Sequence, residues 1–268
     1  MSAPVFVVEP AALASAQPGS VVTVDGAEGR HAVTVTRLRA GEAIHVVDGE
    51  GTRVIGTVHG HDARSSCEVD VERVEHELEP RLRLVVVQAL AKGERGELAV
   101  EQLTEIGVDI IVPWSAAHCV VQWKQDRVEK SRQRWIDAAR SAGKQSRRAR
   151  FPVVADLADT TSVLARVREA QGSVLLHESA SLGIAGVTLP ESGDLVIVVG
   201  PEGGISDEEL AALQAAGAHC VRLGPTVLRT SSAGMAAVAA LMASGPRWAE
   251  GNSGEDDRTK PRRGRMPS

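Results

Sequence analysis

The chain has 268 residues, 43% of them hydrophobic, and a formal net charge of −5. That length accommodates two modest domains and a sizeable core, yet Phe, Trp and Tyr together make up only 2%. The core must therefore rest on Val, Leu, Ile and Ala, which suits strands buried on both faces. A negative chain is no general polycation, so any affinity for nucleic acid has to come from local basic patches.

In chain order, residues 1–79 read as short β-branched runs: Val5–Val8, Val21–Val24, Ala43–Val47, Arg53–Val58 and Cys67–Val74. Gly-bearing turns separate them, and a helical turn is expected around His31–Leu38. Close-spaced short strands predict a small barrel. The pattern changes at Pro80. Leu82–Leu90 is a nearly continuous apolar run, Glu94–Ile106 has helical spacing and stops at Gly107, and Asp109–Trp114 reads as another strand. A long polar helix is expected over Asp126–Ala142. Further strands are expected at Ser173–His177, Leu195–Gly200 and His219–Leu223, with helices at Ser206–Ala216 and Ser231–Ala243. Alternating strands and helices predict an α/β domain with a mostly parallel sheet over residues 80–248. Residues 249–268 are polar and charged and read as a disordered tail.

Cys67, Cys119 and Cys220 are odd in number and far apart. They argue against a disulfide framework and a CxxC metal site, and they fit a reducing cytoplasm. Neither a signal peptide nor an apolar run of about 18 residues is seen, so no membrane span is expected. Charge concentrates in residues 121–150, which hold ten basic and three acidic residues. The cluster Lys144-Gln145-Ser146-Arg147-Arg148 is its densest part. Such asymmetry points to a phosphate-binding surface, the alternative being a solvated helix face. Arg30, His31, Arg37 and Arg39 form a weaker cluster inside an acidic N-terminal region.

Two loops carry the chemistry. In Val199-Gly200-Pro201-Glu202-Gly203-Gly204-Ile205-Ser206-Asp207-Glu208-Glu209, an apolar strand runs into a glycine-rich loop and then a helix. Ser206 and Glu209 have the spacing of a capping box, and ligands bind at the carboxyl ends of strands in open α/β sheets. The loop is neither GxGxxG nor GxxxxGK[ST], so dinucleotide and ATP fingerprints are absent. A tight strand-to-helix turn is the alternative. In Leu223-Gly224-Pro225-Thr226-Val227-Leu228-Arg229-Thr230-Ser231, a lone arginine precedes a helix of small apolar residues. There it could hold an anionic group or a structural carboxylate. The small residues that follow suit close helix packing, either in the core or between subunits.

The pair GPEGG(I/L)SxEE and LGPxVLRT, together with Lys92-Gly93-Glu94-Arg95, Glu101–Val108 and the KQSRR run, resembles the signature of the RsmE-type SPOUT methyltransferases over nearly the whole chain. The resemblance implies a C-terminal α/β domain with a trefoil knot and an N-terminal PUA-like β-barrel. It implies S-adenosylmethionine as cofactor, no metal, usual homodimerisation, and methylation of uridine N3 in 16S ribosomal RNA of the small subunit. By the same resemblance Leu176, His177, Gly200, Pro201, Glu202, Gly203, Leu223, Gly224, Leu228, Thr230 and Ser231 would hold the cofactor. Arg229 would stabilise charge on the uracil oxygens, and Glu202 would act as base or orienting group, unless it caps the nearby helix. Arg30, Arg37, Arg39, Lys92, Lys144, Arg147 and Arg148 would meet RNA. Many relatives carry Glu after the Arg-Thr pair, where this chain has Ser231. Three alternatives stay open: a ribose 2′-hydroxyl methyltransferase of the same superfamily, a non-catalytic RNA-binding or ribosome-assembly factor, and, more distantly, a nicotinamide-dependent oxidoreductase.

Overall fold

The computed structural model describes residues 3–62, 65–124, 126–243 and 245–249. The expected 249–268 tail therefore lies, from residue 250 on, outside the described residues. A first sheet comprises β1 (Val5–Val7), β2 (Val21–Val24), β3 (Ala43–Val47), β4 (Thr52–Asp62) and β5 (Ser66–His76), in the order β1-β3-β4-β5-β2. β2 alternates exposed and buried residues, as a strand covering a core on one face must. Val22, Val24, Ile44, Val46, Val54 and Val69 form that core with Phe6. Register shifts at Ile55/Gly56 and Val58/Gly60 bend the long β4–β5 pair. The barrel expected from the sequence is present as a half-barrel, with β1 and β2 as its edge strands. Two short helices decorate it: α1 (Pro10–Leu13), with proline in its first turn, and α2 (Gly26–Arg30), which continues into a π-helical turn over His31–Thr36. Arg37 ends that turn in the left-handed region, with φ at 56°.

The second sheet comprises β6 (Leu82–Ala89), β7 (Ile110–Trp114), β8 (Val153–Val154), β9 (Gly172–Leu176), β10 (Gly193–Val199) and β11 (His219–Val221), ordered β11-β9-β10-β6-β7-β8. Every pairing in it is parallel. β6 buries every residue except Arg83, as a central strand covered on both faces does. The helices are α3 (Arg95–Glu105), α4 (Val128–Gln145), α5 (Thr160–Glu169), α6 (Asp207–Ala215), α7 (Thr230–Met242) and α8 (Pro246–Ala249). α4 starts and ends later than the sequence suggested. The Arg127 amide closes a turn on the Lys124 carbonyl at 2.7 Å before the helix begins. The sequence reading had placed no element at β8, α5 or α1.

The knot follows from one return of the chain. From β10 it passes through α6 to β11 at the sheet edge. The Arg222 amide then donates to the Leu182 carbonyl (2.8 Å) and the Ile184 amide to the Arg222 carbonyl (3.0 Å), within the connection that joins β9 to β10. α7 next lies against β6, β10 and α3. These contacts set the later segment against the earlier connection, as the trefoil-knot topology, a rare exception to unthreaded folds, requires of a chain that passes through it.

The basic cluster of residues 144–150 turns out to join the two sheets. The Lys144 ammonium meets Glu28 Oε2 at 2.6 Å and stands 4.7 Å from the centroid of the Phe6 ring. Arg53 Nη2 donates to the Arg147 carbonyl (2.7 Å), and Arg150 Nη2 to the Glu77 carbonyl (3.0 Å). Ala149 and Phe151 pack on Val5, Val7 and Val47. At the far end Arg247 binds Asp109 in two-pronged fashion, at 2.5 and 2.9 Å, and so ties α8 to the start of β7. Among the described residues no helix is long and apolar enough to cross a membrane.

Candidate cofactor pocket and its rim

Three strand-ending loops converge at the carboxyl end of the second sheet. The loop after β9 brings Leu176, His177 and Glu178, the loop after β10 brings Gly200, Pro201, Gly204 and Ile205, and the loop after β11 brings Arg222 to Leu228. Together they line one open cavity, floored by Val199, Thr230 and Ala233. The sheet order explains the convergence. β9, β10 and β11 are parallel neighbours, so their carboxyl ends open on one edge, where such sheets place ligands. The expected capping box forms: Ser206 Oγ accepts from the Glu209 amide (3.2 Å), and Glu209 Oε2 from the Ser206 amide (3.4 Å). Glu209 Oε1 also accepts from the Ala117 amide (2.9 Å) and the Thr160 hydroxyl (2.8 Å). A carboxylate that is only 6% exposed is thus supplied with donors and pins the glycine-rich loop to α5 and the 115–120 segment.

Among the residues expected to hold a cofactor, Leu176, His177, Gly200, Pro201, Leu223, Gly224, Leu228 and Thr230 line this cavity. Glu202, Gly203 and Ser231 do not. Ser231 is buried in the first turn of α7. Gly203 lies against the 115–120 segment, where a Cβ would stand 2.8 Å from the His118 carbonyl oxygen. Glu202 points the other way: its Oε1 faces the Lys92 amide at 3.4 Å and Arg95 Nη1 at 3.5 Å. It does not cap α6, since Ser206 does so. The sequence reading passed over Arg222, Ile205, Val199 and Ala233 as lining residues. Arg222, next to the expected Leu223, is held by backbone hydrogen bonds to Leu182 and Ile184, contacts across about forty residues of chain.

Arg229 is the N-cap residue of α7, with an exposed side chain at the edge of the Leu223–Thr230 loop. No hydrogen bond or ion pair engages its guanidinium among the described residues. Behind it, Gln88, fully buried at the end of β6, reaches the Thr230 carbonyl through Nε2 at 3.4 Å. Of the residues expected to meet RNA, Arg30, Arg37, Arg39, Lys92 and Arg147 are exposed. Lys144 and Arg148 depart from that expectation. Lys144 is paired with Glu28, and Arg148 donates to the carbonyls of Thr104, Val108 and Arg150, each at 2.8 Å. Burial pulls the Arg148 guanidinium below its ordinary range. A side chain held in this way acts as a structural post. Among the described residues no group of three or more His, Cys, Asp or Glu side chains is placed to hold a metal ion, and all three cysteines are free thiols.

A pocket at a knotted strand-loop junction beside a half-barrel defines an RNA methyltransferase architecture. Residues 78–242 match the family model described as RNA methyltransferase domain, and residues 24–65 match RNA methyltransferase PUA domain. The ribosomal RNA small subunit methyltransferase E of Mycobacterium bovis is 46% identical over 234 residues, covering 86% of this chain and 89% of its own. That of Bacillus subtilis is 28% identical, covering 82% and 88%. A Legionella pneumophila protein solved with bound SAM superposes with a TM-score of 0.78 at 26% identity, over 91% of this chain and 98% of its own. Ribosomal RNA small subunit methyltransferase E of Neisseria gonorrhoeae, solved with S-adenosyl methionine, shares the fold, with a TM-score of 0.78 at 24% identity over 90% and 98%. The chain belongs to the ribosomal RNA small subunit methyltransferase E family.

Proposed function

We propose that this protein methylates N3 of a uridine in 16S ribosomal RNA, using S-adenosylmethionine. The observation that carries the reading is the convergence of the Gly200–Gly204 and Leu223–Thr230 loops on one cavity, with the unpaired Arg229 guanidinium beside it. The cavity suits such a cofactor. Leu176, Leu223, Leu228, Val199 and Ile205 supply apolar walls. Gly224 is half-buried, and a Cβ there would meet no atom within 4 Å, so space stands open beside the backbone. Glu178 is the one carboxylate among the lining residues and is available to accept from an ammonium or a ribose hydroxyl. When bound, the cofactor supplies an electrophilic methyl group.

The protein's own task is to make N3 nucleophilic and to hold it in place. When the imide proton passes to solvent water, negative charge is left on the uracil oxygens, and a fixed guanidinium at the pocket edge stabilises that charge. Arg229 takes this role. Glu202, engaged with Lys92 and Arg95, is the orienting group that ties the glycine-rich loop to the 92–95 segment. N3 lies on the pairing edge, so the base must be unpaired or flipped out. Arg30, Arg37, Arg39 and Lys92 are contacts for the surrounding RNA backbone. The outward side of α7 (Ser232, Met235, Ala236, Ala239 and Ala240) carries no charge and is the surface on which a second copy docks to form the homodimer. With three free thiols and a ribosomal substrate, the protein works in the cytoplasm.

Mass spectrometry of ribosomal RNA from a deletion strain tests the reading: N3-methyluridine disappears, and its persistence rejects the assignment. Arg229→Ala abolishes methyl transfer to small subunits while calorimetry still records cofactor binding. Loss of cofactor binding instead reassigns Arg229 to the donor pocket.

A further inference from the structure

The geometry points to a second site: a subsite for a single-stranded RNA nucleotide flanking the methylated base, in the groove between α3 and the start of α4. It rests on the RNA methyltransferase reading above. The groove encloses ≈ 750 Å³ and is walled by the Leu90–Glu97 segment, by Val121–Lys124 and by the first two turns of α4. Two independent features meet there.

The first is charge. Lys124, Arg127, Lys130 and Arg134 all line the groove, the last three at helical spacing along one side of the start of α4. Arg127 has an exposed partner, Asp126, at 3.7 Å, a contact of little strength in water. Lys124, Lys130 and Arg134 have no carboxylate partner among the described residues. Glu94 and Glu97 on the opposite wall offset only part of this charge. The rest of the basic segment behaves differently. Arg132 is engaged by the carbonyls of Val154 and Ala155, while Lys144, Arg148 and Arg150 hold the fold together. Of the exposed cations in residues 121–150, Arg140 and Arg147 lie elsewhere, while Lys124, Arg127, Lys130 and Arg134 gather in this one groove.

The second feature is a braced aromatic ring. Trp123 lines the groove half-buried, its ring 5.2 Å from that of Trp135 at an interplanar angle of 84°. Trp135 is itself buried and seated on α3 at Gly96, whose Cβ position lies 3.1 Å from the indole nitrogen. A fixed indole among cations is the arrangement that binds single strands, with a base stacked on the ring and phosphates on the lysines and arginines. An acidic peptide would use the cations but would leave the indole without a purpose.

The place is also right. The 90–97 wall touches the glycine-rich loop through Glu202, and the 115–124 wall touches it through Gly203 and His118. The 201–204 turn, which also lines the methyl-donor cavity through Pro201 and Gly204, thus borders both sites. In this proposal a strand with its target base at Arg229 runs past the 201–204 turn toward Trp123.

The test uses the full chain and a fluorescein-labelled single-stranded oligouridine. Lys130→Glu/Arg134→Glu should weaken binding at least tenfold near 0.15 M salt. It should also flatten the slope of log affinity against log salt by about 1.4, since each phosphate contact on a single strand contributes about 0.7. Trp123→Leu should lose fivefold or more, on the order of one stacked base, and should abolish the oligouridine-induced quenching of tryptophan fluorescence. Trp123→Phe should recover most of the affinity, which separates stacking from misfolding. On small subunits the variants should raise KM with kcat retained. Variants that bind oligouridine as the parent does overturn the subsite. So does a loss confined to the charge-reversal pair, which leaves only a phosphate path. Parent protein that binds cofactor and oligouridine with these signatures but transfers no methyl group sinks the proposed function and leaves the subsite standing.

Discussion

Replacing Arg148 by Met asks whether the KQSRR cluster serves RNA or the fold. The guanidinium makes three hydrogen bonds of 2.8 Å to the carbonyls of Thr104, Val108 and Arg150, joining the end of α3, the start of β7 and the strap between the sheets. Hydrogen bonds from a charged donor contribute about 1.5–3 kcal/mol each, while burying the cation opposes them by several kcal/mol. Methionine fills the apolar part of the side chain but leaves the carbonyls without donors, so a net loss of about 3–5 kcal/mol is expected, as when one partner of a buried charged network is removed. For a chain of this size that lowers Tm by roughly 6–20 °C. Thermal melting followed by circular dichroism measures it. Oligouridine affinity, measured well below the transition, should match the parent. A variant with unchanged Tm but weakened RNA binding would refute the argument and return Arg148 to the RNA surface.

Three further predictions concern the pocket and the half-barrel. Glu209→Gln places an amide NH2 where the Ser206 amide needs an acceptor. It should cost about 1–3 kcal/mol in chemical denaturation, and an unchanged midpoint would show that Glu209 does not pin the loop. Gly203→Ala drives a methyl group to 2.8 Å from the His118 carbonyl, an overpacking worth about 1–3 kcal/mol. Because the displaced loop carries the donor cavity, methyl transfer should fall by up to about 100-fold; parental turnover would mean the loop absorbs the shift. His45 is half-buried on β3, and burial first, then Arg53, hold its imidazole below the ordinary value. The unfolded chain therefore binds a proton that the native state refuses, so stability rises with pH through the window below about 6.5 and is fully present above it. His45→Gln should flatten the dependence of the urea midpoint on pH between about 5 and 7, and an identical slope in the variant would remove His45 as its source.

The elements that could be read in advance are those whose causes are local. Leu82–Leu90 is apolar but for Arg83 and Gln88, the pattern of a strand covered on both faces, and the structure makes β6 of it. Ser206 and Glu209 sit three residues apart, so their capping box needs no distant partner. The two glycine-bearing loops stood out because their composition is unusual. The half-barrel's closure was not legible, because the last pairing of a curled sheet depends on how far its bulges bend it. Nor was the short β8, since two residues carry no periodicity.

What the sequence by itself determined is where the longer strands, most helices and the two glycine-bearing loops lie, and that positive charge gathers in residues 121–150. What that charge does was decided only by the tertiary structure. Lys144 meets Glu28 across 116 residues of chain, Arg148 turns inward, and Trp123 joins Lys130 and Arg134 in a groove that exists only once α3 and α4 pack together. The physical reason is range. Hydrophobic periodicity and capping act within one or two turns, whereas the partner of a charged side chain is whatever the fold brings near it.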